Sequence, residues 1–217
     1  MTSLPLLQGY PEELVAPAAA LIESGRALDV IAKRYPVGHR VSSNKELFAY
    51  VQELKARYMK NTPQVAKVSY DKRMRSAQNA LGLHTTKQRV HGDGLRTSRE
   101  LKVASLFRQA PLAFLRMICV HELAHQKHRE HDNAFYRLCC HMEPAYHQLE
   151  FDLRVYLSAL EAQAEAELEA AAKLEAEAAA AAKAQADAKS KATTESAAEP
   201  AEPEAPQASR PNPDLPQ

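Results

Sequence analysis

Val120 to Asn133 reads VHELAHQKHREHDN, and the chain is organised around four of its residues, His121, Glu122, His125 and His131. His-Glu-x-x-His on a helix is a metal-binding pattern with a physical basis. Successive helical residues turn by about 100°, so positions four apart lie about 40° apart around the axis and one turn apart along it. His121 and His125 therefore project from one face, and two imidazole nitrogens can reach one cation from a rigid support. Glu122, beside the first of them, can lean towards a water on that cation without ligating it. Zinc lowers the pKa of such a water to about 7, and a carboxylate that takes its proton makes a nucleophile at neutral pH. A catalytic zinc site has three protein ligands and an open position, so a third ligand is required.

His131 is the leading candidate for that ligand. Its step from His125 matches the metzincin pattern H-E-x-x-H-x-x-G-x-x-H, with His128 standing where the pattern has glycine. A left-handed turn there is accessible to His, though less readily than to Gly. Glu143 and Glu150, on the following helical segment, are the alternatives. The competing reading is accident, because a chain with nine histidines throws up H-E-x-x-H occasionally. His131 at the right spacing, and the apolar run Leu112, Ala113, Phe114, Leu115, Met117, Ile118 just upstream, argue against it.

Read outward, FLRMICVHELAHQKHREHDNAFYRLCCHMEPAYHQLEFDLRVYL resembles the YgjP-like family of metal-dependent hydrolases, also described as a minimal metallopeptidase domain. LQGYPEEL, VIAKRYP, SYDKRMRSAQNALGLHT and RELKVASLFRQAPLAFLRMI carry the same resemblance, which spans roughly residues 4 to 160. It implies His121, His125 and His131 as metal ligands and Glu122 as catalytic base. It also implies an α+β, zincin-like fold: amino-terminal helices, a small sheet, the HExxH helix and carboxy-terminal helices. The chain has no Trp, so it lacks the W-G-S-C-type stretch that many relatives carry before the helix, and its substrate-side strand is expected to differ.

Composition bounds these readings. The 217 residues suffice for one ordinary domain and an appendage, expected at 1–160 and 161–217. No apolar run reaches the 18 or so residues of a membrane span, and the start lacks a signal peptide's basic and apolar regions, so a cytoplasmic address without membrane contact is expected. Cys119, Cys139 and Cys140 have no metal-ribbon spacing. Cys119 and Cys139 fall on apolar helix faces and read as small buried thiols. The net charge of +1 conceals an asymmetry: 161–217 holds twelve acids and five bases, the remainder fifteen acids and 23 bases. A basic body favours an anionic partner such as a nucleotide or nucleic acid, although many solvated surfaces carry that balance unused.

Pro11 to Arg26 has helical spacing, with Pro17 as a late start or kink, and Ala27 to Arg34 forms a second short helix before Tyr35-Pro36. Ser43 and Glu46 make a capping box that opens a helix running to about Met59. Val65 to Tyr70, Arg89 to His91 and Arg99 to Phe107 read as strands, with Gly92-Asp93-Gly94 as a turn. Lys72, Arg73, Arg75, Lys87, Arg89, Arg96, Arg99, Lys102 and Arg108 crowd this middle region. They could clamp phosphates if they converge on the metal cleft; the competing and weightier reading is that strand alternation puts them on the solvent face. His84 and His91 read as turn residues.

Pro111 suits the first position of the HExxH helix. Asp132 or Asn133 caps the next helix, whose Phe135, Leu138, Cys139 and Met142 form a core stripe, and Asp132 could alternatively orient a ligand ring. Among Tyr136, His141, Tyr146 and His147, one could stabilise an oxyanion or protonate a leaving group, with packing the weightier reading for Tyr146 and His147. A last helix runs from Glu143-Pro144 to Leu160. Beyond Ala162 the composition turns to Ala, Glu and Lys, giving a solvated helix to about Lys191 and then a Pro-rich disordered end.

Three functions follow. The first is a zinc-dependent peptide-bond hydrolase with Glu122 as base; other divalent transition metals suit the same ligands. The second uses the same site on a nucleoside triphosphate as a pyrophosphatase; the basic body leans that way, and the family resemblance implies UTP among its substrates. The third is a non-catalytic, nucleic-acid-associated metal protein, against which Glu122 argues, since a structural site has no use for a base.

Overall fold

The computed structural model describes residues 4–72 and 100–196. They fall into two units, Met1–Ala166 and Glu167–Gln217. In the first, a short 3-10 turn precedes α1 (Glu12–Glu23), α2 (Ala27–Arg34), α3 (Asn44–Tyr58) and strands β1 (Lys67–Asp71) and β2 (Glu100–Ala104). The HExxH helix α4 (Leu112–Ala124), α5 (Asn133–Met142) and the first turns of α6 (Tyr146–Ser196) complete it. The class is α+β. Among the described residues no helix is long and apolar enough to cross a membrane.

Helix starts follow local chemistry. The Ser43 hydroxyl accepts from the Glu46 N–H, while the Glu46 carboxylate accepts from the N–H groups of Ser42 and Ser43 at 2.9 Å each. This closes the expected capping box. Pro17 stays inside α1, with Ala18 and Ile22 buried on the inner face. Pro111 is the cap of α4 rather than its first residue, with extended ψ of 146°. Asp132 caps α5 through a 2.8 Å bond from Phe135 N–H, which gives its carboxylate a structural use.

The sheet differs in detail from the sequence-based expectation. β1 and β2 pair in parallel, Val68 opposite Leu101 and Tyr70 opposite Val103. Those four side chains face the core, and Lys67 and Lys102 on the other face pair with Glu100 and Asp71. The second strand stops at Ala104 because Ser105–Arg108 winds into a 3-10 turn that buries Phe107. The expected strand at Arg89–His91, the glycine turn at 92–94, and His84 and His91 lie outside the described residues.

The core wraps α4. Phe114, Leu115, Met117, Ile118, Cys119, Val120, Leu123 and Ala124 are all buried, so this helix is apolar on every side and sits centrally. Burying each large apolar side chain contributes about 1.5–3 kcal/mol. The His-Glu-x-x-His motif therefore grows from a buried segment of the unit. α6 serves two clusters: Tyr146, Leu149, Leu153 and Leu157 join the α4 core, while Val155 and Ala159 pack with Leu7, Ala18, Ile22 and Ala27. A buried polar group ties α2 to α6. Asp152 accepts from the Tyr35 hydroxyl and from Gln148, and pairs with Arg34 at 3.2 Å.

Candidate metal centre

α4 delivers His121 from its last turn and His125 as its C-cap residue. The loop that follows returns His131 to the same point. The three Nε2 atoms form a triangle with every side 3.2 Å. For a tetrahedral zinc with Zn–N of about 2.0–2.1 Å, the ligand nitrogens lie about 3.3–3.4 Å apart, so this triangle has the size of one tetrahedral face. Three converging imidazole nitrogens are mutually unfavourable unless a cation separates their lone pairs. The donor set thus fits a metal, with the fourth coordination position, opposite that face, left for solvent or substrate.

The backs of two rings are held. Nδ1 of His121 lies 2.7 Å from the Tyr146 hydroxyl, and Nδ1 of His125 lies 2.9 Å from the His128 carbonyl. A carbonyl can only accept, so His125 carries its proton on Nδ1 and presents an unprotonated Nε2. The residue in the metzincin glycine slot thus contributes its backbone. Phe135 forms the floor: its ring centroid lies 5.1, 4.7 and 4.7 Å from those of His121, His125 and His131. Burial, followed by the two neighbouring imidazoles, holds His121 well below the ordinary histidine pKa, and burial first also lowers His131. Both effects favour the neutral rings that a metal requires.

Glu122 stands next in the chain, and burial alone pushes its carboxyl up to about 7. Among the described residues nothing donates to it. The alternative third ligands are engaged elsewhere. Glu143 pairs with Arg116, whose guanidinium also donates to the Met142 carbonyl at 2.9 Å, and Glu150 pairs with Arg154 at 3.0 Å.

Of the basic residues in the middle of the chain, Lys102 pairs with Asp71, Arg108 lies over the Tyr70 ring at 4.6 Å, and Lys72 is exposed. The other six lie outside the described residues. Arg154 is paired with Glu150, and the two charges act on His131 in opposite senses. It also donates to the Leu6 carbonyl at 3.1 Å and lies over the Tyr10 ring. Sequence reading passed over Arg154 and weighted Tyr146 towards packing. Tyr146 is fully buried, and its hydroxyl meets His121 behind the ring rather than at the open face. The available signal was the spacing of Tyr146, Glu150 and Arg154 at four-residue steps along one face of the helix.

The YgjP-like family model, described as a metallopeptidase domain, matches residues 17–156. A curated protein from Escherichia coli (strain K12) named UTP pyrophosphatase is 52% identical over 160 residues, covering 74% of this chain and 96% of that protein. No solved structure matches the chain at a significant level.

Proposed function

The chain belongs to the YgjP-like family and is a metal-dependent hydrolase, and we propose that it hydrolyses a nucleoside triphosphate, UTP foremost, releasing pyrophosphate. The observation that carries this is the likeness to the E. coli UTP pyrophosphatase, which extends over nearly that protein's whole length. The basic balance of the body supports it too.

In this reading His121, His125 and His131 hold the ion through Nε2, in a zincin-like arrangement, and zinc is the ion proposed. Such an ion supplies Lewis acidity and a lowered water pKa. Glu122 takes the proton from the attacking water; a carboxyl raised towards neutrality by burial has the basicity for that work. The His128 carbonyl keeps His125 in the ligating tautomer, and the Tyr146 hydroxyl accepts from His121 Nδ1 once Nε2 ligates. The family's description as a metallopeptidase domain makes a peptide bond the second reading for the same residues.

The experiment is release of pyrophosphate from a panel of nucleoside triphosphates by zinc-loaded protein and by its Glu122→Gln variant. Turnover by the first, with a loss of about a hundredfold or more in the second, is expected for a general base. No turnover of any nucleotide, with one equivalent of metal bound, would transfer the assignment to peptides.

A further inference from the structure

Asn133, Tyr136, Arg137 and Cys140 lie at i, i+3, i+4 and i+7 on one face of α5, and with His147 at the start of α6 they line an open groove of about 470 Å³. That volume lies within the range of small-molecule sites, about 300–1,000 Å³. The groove adjoins the histidine trio. Asn133 follows His131 by two positions, and the Tyr136 ring centroid lies 6.3 Å from that of His131. A ligand that reaches the trio with a phosphate chain can therefore rest its other end here.

The lining chemistry is specific. Tyr136 is half-buried and held against His147 with centroids 5.3 Å apart, which fixes an aromatic plane at the groove wall. Arg137 is exposed, and its Nε donates to the Asn133 carbonyl at 3.3 Å. The terminal amino groups of that guanidinium remain, and among the described residues no carboxylate pairs with it. No acidic residue lines the groove. Guanidinium, carboxamide and imidazole make a donor-rich wall beside an aromatic face. A pyrimidine with two ring carbonyls suits it, because uracil presents oxygen at both positions 2 and 4. Cytosine turns an amino group towards the same donors at position 4 and leaves them unpaired, a mismatch that hydrogen-bonding sites reject strongly.

We propose that this groove is the nucleoside subsite of the enzyme, in which Tyr136 stacks on the base and Arg137 selects uracil over cytosine. The assignment rests on the nucleotide reading above, and its test is arranged so that the two can fail separately. With zinc-loaded full-length protein, UTP, CTP and inorganic tripolyphosphate are compared as substrates for the wild type, Arg137→Gln, Tyr136→Ala and Tyr136→Phe. Base stacking and one charged donor predict that KM for UTP rises about tenfold in Arg137→Gln and in Tyr136→Ala, and stays near the wild-type value in Tyr136→Phe. The preference for UTP over CTP in kcat/KM falls towards unity in Arg137→Gln alone. Tripolyphosphate, which has no base, is handled equally by the wild type and Arg137→Gln. Arg137 is exposed, so its variant keeps the fold even where Tyr136→Ala does not.

A second readout needs no turnover. Cys119 and Cys139 are buried and Cys140 is half-buried in the groove wall, so maleimide modification of Cys140, followed by mass spectrometry, reports occupancy. UMP is expected to slow that modification in the wild type and not in Arg137→Gln. Unchanged KM for UTP in Arg137→Gln, with Cys140 modified as fast in UMP as without it, overturns the groove assignment. A wild type that turns over no nucleotide, yet is protected by UMP, overturns the catalytic reading and leaves the subsite standing.

Discussion

A neutral imidazole carries one N–H, and the nitrogen that holds it cannot bind a cation. His121 is buried with its Nδ1 2.7 Å from the Tyr146 hydroxyl, so when Nε2 binds a cation with the other two, Nδ1 carries the proton and the hydroxyl accepts from it. Tyr146→Phe keeps the ring that fills the core and deletes that acceptor. Loss of such an outer partner typically weakens metal affinity by about 10- to 100-fold. Competition with a chelator is expected to show a loss of that size, with the melting temperature of the metal-free protein moving much less. An unchanged metal affinity would make Tyr146 a packing residue, as the sequence first suggested. The motif itself was legible because its geometry is local: four-residue helical spacing is enough to put His121 and His125 together. The role of Tyr146 was not, because it depends on where a helix 25 residues away is packed.

Elements follow the same division between local and distant causes. α3 begins where Ser43 and Glu46 bond each other, and such a box can be read from four letters. The Glu46 carboxyl is lowered from 4.5 to about 2, chiefly by the backbone N–H of Ser43 and then that of Ser42. A depressed folded pKa means that the ionised form stabilises the fold. The contribution is complete above the unfolded value of 4.5 and is lost as pH falls towards 2. Denaturant titrations across that window should show a shallower loss of stability in Glu46→Gln than in the wild type; parallel curves would mean that the box does not persist in solution. By contrast, the union of α2 and α6 through Asp152 joins residues far apart in the chain and left no sequence signal. Asp152→Ala takes the buried acceptor from the Tyr35 hydroxyl and from Gln148, while the exposed Arg34 guanidinium turns to water, and a cost of about 1–3 kcal/mol in urea unfolding is expected. The parallel pairing of β1 with β2 was equally illegible, since alternation reveals which face a strand buries and not which neighbour it chooses. The extent of the last helix was also understated: Ala, Glu and Lys continue it to Ser196 without a break at the composition change.

Charge is divided along the chain as sharply as structure is. Residues 167–217 hold ten acids and five bases, and their removal would raise the formal charge from +1 to +6. From 167 to 183 every side chain is exposed, including Leu168 at 73% and Leu174 at 69%, so this stretch has no buried face of its own to stabilise. A chain ending at Ala166 is therefore expected to keep its unfolding free energy within about 0.5 kcal/mol, the range of changes that touch only surface. It should also keep one equivalent of metal. What should change is the approach of an anionic substrate. Without the acidic stretch the field around the body is more positive, and, on the nucleotide reading proposed above, KM for UTP should fall about two- to threefold at low ionic strength. That advantage should disappear above about 0.3 M salt, where the Debye length has dropped to about 6 Å. A truncation that lowers KM equally at all salt concentrations would point to direct obstruction of the cleft. One that loses metal or melts early would show that residues 167–217 belong to the folded body.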